Sequence, residues 1–324
     1  MTAIDARSLS GWTPFRAAWR EREMLVYWAH LAAKRFTEPF FYETIATVAL
    51  HPFNQLFGQC TRADALDALP AGLKPSGFVF HMARCGSTLC AQALAASPAH
   101  IVMSEPLPIR NILRAPLHGP ATPDDVARWL AGMMNALGQP RFPQERRLFV
   151  KFMAADALDL PLILRVFPQT PWLFLYRDPL EILASQHAMG GADTIPGAIP
   201  TARLGLNAEA IAAMTAQAYQ SHVIAALGQA ALAAKTDGRG LILNYEDLPR
   251  ALCEEIPRHF GLALGSAELA AMREAAGRDA KRPRAPFMAD GAAKRLIGAQ
   301  WRDTVDAIAG PTIAALDRAR GARG

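Results

Sequence analysis

Gly77–Leu89 reads GFVFHMARCGSTL. The apolar run Phe78-Val79-Phe80 ends in His81-Met82-Ala83-Arg84-Cys85-Gly86-Ser87-Thr88, and a helical pattern then starts. A buried strand, a tight loop and a helix N-terminus in succession make an anion cradle, because backbone N–H groups and the helix dipole converge there on one oxyanion. A nucleoside-triphosphate loop of the form G-x-x-x-x-G-K-[ST] puts a lysine between its second glycine and the hydroxyl. Here Ser87 follows Gly86 directly, His81 stands at the first glycine position, and the basic residue, Arg84, precedes the glycine by two places. A kinase built on this loop would lack its phosphate-bridging lysine.

Outward from the loop, short apolar runs alternate with helical patterns. Ile101–Met103, Leu148–Phe152, Trp172–Tyr176 and Gly240–Tyr245 read as strands. Thr88–Ala96, Leu107–Leu113, Pro123–Leu137, Ala154–Phe167, Leu180–Ala188 and Ala208–Lys235 read as helices. The pattern predicts an α/β fold: a doubly wound, mostly parallel sheet of about five strands flanked by helices. Ligands of such sheets bind at the carboxyl ends of the strands. His81–Thr88, Glu105, Lys151, Arg177 and Glu246 therefore share one rim.

Residues 71–324 are expected to form this α/β domain, with a helical C-terminal addition. Residues 1–70 are expected to form a helical N-terminal segment packed on it, placed to cover part of an acceptor site. Within it, Pro14–Phe36 carries Met24, Tyr27, Trp28 and Leu31 on one helical stripe and Phe15, Trp19 and Val26 on another. Pro39–Leu50 reads as a further helix, and Gly190–Pro200 as a Gly/Pro loop long enough to serve as a lid.

Composition narrows the function class. A chain of 324 residues, 51% hydrophobic and 19% charged, buries a large core. Its net charge is +5 and its pI about 9.2, yet Lys and Arg are interspersed with Asp and Glu up to Arg278–Arg284. That spread argues against nucleic acid as a partner and suits a small polyanion. Cys60, Cys85, Cys90 and Cys253 show no CxxC pair and no metal spacing, so they read as reduced thiols of a cytoplasmic protein. The N-terminus lacks the order of a signal peptide, and no apolar stretch is long enough to span a membrane. Oligomeric state, monomer or homodimer, stays open.

Ala83-Arg84-Cys85-Gly86-Ser87-Thr88 resembles the P-[KR]-S-G-T-T loop of the sulfotransferases that use 3′-phosphoadenosine 5′-phosphosulfate. Members of that family carry a second motif: a strand, then Arg-[DN]-Pro, then a helix with Ser eight residues after the Arg. Here Trp172–Tyr176 leads into Arg177-Asp178-Pro179, and Ser185 is eight residues on. Asn244-Tyr245-Glu246-Asp247-Leu248 is similar to the family's strand-ending Tyr-Glu-Asp-Leu. The resemblance spans Gly77–Leu248 in the family's order. It departs from the pattern at His81, Ala83 and Cys85, where Gly, Pro and Ser are usual, and Arg84 replaces a common Lys.

The resemblance implies sulfuryl transfer from 3′-phosphoadenosine 5′-phosphosulfate, leaving adenosine 3′,5′-bisphosphate, to a small-molecule or peptide acceptor through a hydroxyl or amine. It implies that Arg84, Cys85, Gly86, Ser87, Thr88 and Leu89 cradle the 5′-phosphosulfate while Arg177 and Ser185 hold the 3′-phosphate. A late basic loop containing Lys281, Arg282 and Arg284 either closes over that phosphate or lies in solvent, and Phe287 either stacks on adenine or packs in the core. Positioning and charge do most of the work in such a transfer, with Arg and Lys in place of a metal.

A base for the acceptor is also needed. Glu105 at the end of a strand is the first candidate and His81 at the loop mouth the second. Lys151, costly to bury unpaired, either touches sulfate or acceptor or pairs with Glu105. Glu246 is expected to brace the loop amides. The alternatives to this function are a small-molecule kinase and a nucleotide-binding module without catalysis.

Overall fold

The computed structural model describes residues 9, 11–235, 238–286 and 290–321, with the side chains of 192, 282–284 and 286 outside that description. The chain begins with a hairpin of β1 (Trp12–Arg20) and β2 (Glu23–His30), to which β3 (Gln59–Arg62) pairs antiparallel. This overturns the helix expected over Pro14–Phe36. Met24, Leu25 and Val26 are buried consecutively, so β2 is covered on both faces and shows no strand alternation. The turn is made by Glu21 at φ 56°, with no glycine to announce it. Two short helices, α1 (Phe41–Ala49) and α2 (Pro52–Leu56), lie between β2 and β3.

The central sheet comprises β4 (Pro75–His81), β5 (His100–Ser104), β6 (Arg147–Lys151), β7 (Trp172–Tyr176) and β8 (Gly240–Asn244). Its order is β5-β6-β4-β7-β8, and every neighbouring pair is parallel. The expected α/β sheet is therefore present. Its strands read as unbroken apolar runs because helices cover both faces. All five residues of Trp172–Tyr176 are buried, and Phe80 stacks on Phe152 with ring centroids 4.6 Å apart. Each ring of this kind contributes about 1.5–3 kcal/mol by leaving water.

The crossover helices follow in order: α3 (Ser87–Ala95), α4 (Leu107–Leu113), α5 (Pro123–Leu137), α6 (Leu160–Val166), α7 (Pro179–Ala188), α8 (Ala208–Ala213) and α9 (Ala216–Ala234). The helix expected over Ala154–Phe167 is divided, and Pro161 opens its α-helical part, α6. The single helix expected over Ala208–Lys235 is broken at Met214, and Thr215 caps α9 by accepting from Ala218 N–H. The remaining chain is mostly helical, with a short antiparallel pair, Arg278–Asp279 with Arg282–Pro286, inside the basic loop.

The N-terminal hairpin shares the hydrophobic core with the sheet. Trp19 donates through Nε1 to the Ala115 carbonyl at 2.9 Å, and Ala17 N–H donates to Asn111 Oδ1 at 3.1 Å. The loop Gly190–Pro200 is tied down at both ends, through Asp193 to Arg110 at 2.6 Å and through buried Ile199. No helix among the described residues is long and apolar enough to cross a membrane.

The order of the sheet positions the site. From β4 the chain runs outward to β5 and returns through β6, then crosses β4 to reach β7 and β8. The carboxyl end of β4 is thus the switch point where crossovers diverge and a crevice opens. Register aligns Ser104 with Lys151, His81 with Leu175 and Tyr176 with Asn244, so the residues that follow each strand meet at one edge.

Candidate active site at the carboxyl edge of the sheet

The loop after β4 is wound by three left-handed residues, Ala83 (φ 64°), Arg84 (φ 51°) and Gly86 (φ 82°). Such alternation around Cys85 turns successive N–H groups toward one point. Gly86 is required twice over: by its φ, and because a Cβ there would stand 2.7 Å from Leu248 Cδ1 and 2.9 Å from Tyr245 Cδ2. It is the N-cap of α3 and supplies no side-chain cap, so the first N–H groups of that helix remain available. Ser87, Thr88 and Leu89 are buried in this first turn.

Cys85 faces away from the cradle. Its thiol donates to the Leu175 carbonyl at 3.1 Å, and burial pushes it up to about 11. Only its backbone is left to serve the loop. Helix α7 begins at Asp178, whose carboxylate accepts from Leu180 N–H at 2.8 Å. Ser185, two turns along, is buried and accepts a 2.6 Å hydrogen bond from Arg84 Nε.

Arg177 is buried beside them. Its Nη1 donates to the Arg84 carbonyl at 3.2 Å, and its guanidinium carbon stands 4.0 Å from the centroid of the Tyr245 ring. It pairs with Glu181 one turn on, and with Asp290 at 3.4 Å. Glu181 also pairs with Arg295, and Asp290 with Lys294. Burial raises the Asp290 carboxyl, but Lys294 and Arg177 outweigh it and hold the group below the usual range. A cavity of about 440 Å³ adjoins this corner, between Tyr245, Arg302, Asp317 and Arg320.

The third part of the site lies between β5 and β6. Lys151 is 1% exposed and pairs with Glu105, which holds a left-handed backbone at φ 59°. Burial raises the Glu105 carboxyl, yet Lys151 and His81 overcome that and hold it far below the ordinary carboxylate range. The His81 ring has no free nitrogen: Nδ1 accepts from Ala83 N–H at 2.9 Å, and Nε2 faces the Phe152 carbonyl at 3.0 Å and Glu105 at 3.6 Å. Nδ1 is therefore the bare nitrogen and Nε2 carries the proton. Burial keeps this neutral form. The ring of His81, the expected second candidate for the base, thus ties the left-handed loop to the end of β6.

Lys281 approaches from the basic loop. Its Nζ and that of Lys151 stand 5.7 and 5.1 Å from the centre of the Phe40 ring. The residue as a whole is exposed, but desolvation at its ammonium end and the Arg84 and Lys151 charges bring it down to about 8. Arg84, Lys151 and Lys281 thus form a cluster of cations around the Glu105 carboxylate. Such a cluster fits a polyanion.

No family model matches the chain, and no curated protein matches it. Solved structures do. They include a sulfotransferase from Alicyclobacillus acidocaldarius, 14% identical, covering 76% of this chain and 96% of that one at a TM-score of 0.42. The sulfotransferase domain of the curacin biosynthetic pathway is 14% identical over 74% and 98%, at 0.44. A retinol dehydratase in complex with androsterone and the inactive cofactor PAP is 18% identical over 63% and 65%, at 0.29. Likeness at this level assigns no role to any residue here.

The structure brings together, from six segments, His81, Arg84–Leu89, Glu105, Lys151, Arg177, Ser185 and Lys281. It does not bring Glu246 to the loop. That side chain is 69% exposed, with Arg295 at 3.9 Å, and its neighbour Tyr245 packs on Gly86 instead. The side chains of Arg282 and Arg284, and all of Phe287, lie outside the described residues.

Sequence reasoning missed Glu181, Asp290, Arg295 and Phe40. Only Glu181 left a signal, a carboxylate one helical turn after Arg177. Ser104, buried beside Lys151, was missed too, and its Oγ has no hydrogen-bond partner among the described residues.

Proposed function

We propose that the chain transfers a sulfuryl group from 3′-phosphoadenosine 5′-phosphosulfate to a hydroxyl acceptor. One observation carries this reading: the loop after β4 and the start of α7 are joined through Arg84, which bonds to both Ser185 and Arg177. The motifs that suit the two phosphates of this donor therefore form one continuous surface. Arg177 and Ser185 hold the 3′-phosphate, with Asp290 yielding its contact. Arg84, Lys281 and the first turn of α3 hold the 5′-phosphosulfate.

The donor supplies a sulfuryl group on a phosphate leaving group. Arg84 and Lys151 stabilise the charge that develops on transfer, and Arg84, always protonated, helps electrostatically rather than as an acid. Glu105 accepts the acceptor's proton. A carboxylate this acidic is a weak base, so the proton moves late, when bonding to sulfur has already acidified the acceptor oxygen. His81 positions the loop.

The test is thermal stabilisation by adenosine 3′,5′-bisphosphate compared with ATP and Mg²⁺. The expected result is a concentration-dependent rise in Tm with the bisphosphate. A rise with ATP–Mg²⁺ and none with the bisphosphate contradicts the reading and favours a kinase.

A further inference from the structure

Phe40 and Tyr42 stand over the Lys151–Glu105 end of the site. Their rings stack with centroids 5.7 Å apart and 20° between planes. Phe40 faces the Lys151 and Lys281 ammonium groups, while Tyr42 is 60% exposed. Glu105 is close enough to help raise the Tyr42 hydroxyl, after burial and the adjacent Glu43.

Tyr42 also starts a strip that leads away from the site. Tyr42, Ala46, Ala49 and Leu50 recur at helical spacing on the exposed face of α1, opposite buried Phe41, Thr44 and Ile45. The strip runs about 12 Å at 1.5 Å per residue. Beyond it, Leu56 is 76% exposed and Phe57 55%. No Asp, Glu, Lys or Arg occurs between Glu43 and Arg62. Exposed large apolar side chains gathered beside a site suit an apolar ligand.

We propose that this strip is the acceptor wall, and that the acceptor is a neutral compound with an apolar body and a hydroxyl at one end. The proposal rests on the sulfuryl-transfer reading of the same site. Apart from Glu43, which accepts from the Tyr42 hydroxyl at 3.3 Å, the wall carries no charged group to pair with an ionic peptide. The nearest lysine on the N-terminal side, Lys34, is committed to Glu38. With the body on Tyr42 and Leu50, the hydroxyl lies toward Glu105. The new bond joins its oxygen to sulfur, the sulfur–oxygen bond to the leaving phosphate breaks, and the hydroxyl proton passes to Glu105.

The experiment is calorimetric titration of 1-butanol, 1-hexanol and 1-octanol into the full chain saturated with adenosine 3′,5′-bisphosphate, with glucose as the polar control. Full burial of a methylene gives about fourfold in affinity, and burial against one wall about twofold. The expected result is a rise of about twofold or more per added methylene, and no glucose binding. Tyr42→Ser and Leu50→Ser, both at exposed positions that leave the core intact, are expected to weaken 1-octanol about fivefold or more and to leave bisphosphate affinity unchanged.

Affinity independent of chain length, or insensitive to both variants, overturns the proposal. So does binding of phosphatidylcholine vesicles or self-association through the strip without alkanol binding. Failure of the bisphosphate titration itself, which contains no alcohol, overturns the donor reading instead and removes the basis of the proposal.

Discussion

Arg84 donates through Nε to Ser185 Oγ at 2.6 Å, joining the loop that follows the central strand to a helix that starts after the next strand of the sheet. This bond brings two phosphate-suited motifs into register, and it depends on backbone geometry at both ends. Arg84 can turn toward α7 because its own φ is 51° and the His81 ring holds the Ala83 N–H behind it. Ser185→Ala removes the acceptor of a charged donor, but partly buried Arg84 can turn that donor to water. Bisphosphate affinity is expected to fall about tenfold in titration calorimetry, with little loss of fold stability.

If Arg177 holds the 3′-phosphate as proposed, Asp290 competes with the ligand for it. Its carboxylate stands 3.4 Å from the guanidinium and is half-exposed, whereas Glu181 is buried and stays. Asp290→Asn is expected to tighten bisphosphate binding severalfold, and weaker binding in the same titration would make Asp290 part of the site rather than a competitor.

Glu105→Gln tests the base and the ion pair separately. Turnover is expected to fall about 10²-fold, the lower end for general bases, while bisphosphate binding is spared. Lys151 would be left buried and unpaired, so denaturant unfolding is expected to show a loss of about 3–5 kcal/mol. Adding Lys151→Met should return most of that stability without restoring turnover.

The pH dependence of donor binding follows from Lys281. Its pKa near 8 reflects desolvation first and then the neighbouring Arg84 and Lys151 charges. A bound polyanion favours the protonated form and raises that value. Binding therefore takes up a proton above about pH 8, and affinity is expected to fall as pH rises through 8 toward 10. Calorimetry in buffers of different ionisation enthalpy reads the uptake directly. Lys281→Gln should flatten the alkaline limb.

Thiol chemistry reports on the loop's packing. Burial pushes Cys85 up to about 11 and Cys90 up to about 12, while Cys60, also raised by burial, and Cys253 are only partly buried. A disulfide reagent at pH 8 is expected to titrate two thiols in the native protein and four after unfolding. Fast reaction of a third would mean that the loop opens in solution.

The parallel sheet was legible because its strands are short, buried on both faces and cut by clear helix starts such as Pro123 and Pro179. The rim followed from that topology alone. The hairpin of β1 and β2 was not legible, since Met24, Tyr27, Trp28 and Leu31 recur at helical spacing and Glu21, not a glycine, makes the turn.

At the carboxyl edge of the sheet, Arg84, Glu105, Lys151, Arg177 and Ser185 come together as the topology implied, whereas Glu246, expected to brace the loop, points away from it. The structure puts Tyr245, one position earlier, against Gly86, because β8 ends at Asn244 and the 3-10 turn Tyr245–Asp247 leaves Glu246 outside. Phe40 was invisible as a site residue. Only the packed fold brings it over Lys151.

The central claim is that Arg177 and Ser185 form the 3′-phosphate site of the donor. Titration of adenosine 3′,5′-bisphosphate against adenosine 5′-monophosphate, which differ only in that phosphate, tests it most directly. A charged pair of contacts corresponds to about 10- to 100-fold tighter binding of the bisphosphate, lost in Arg177→Ala. Equal affinity for the two nucleotides, or a preference that survives Arg177→Ala, would contradict the account.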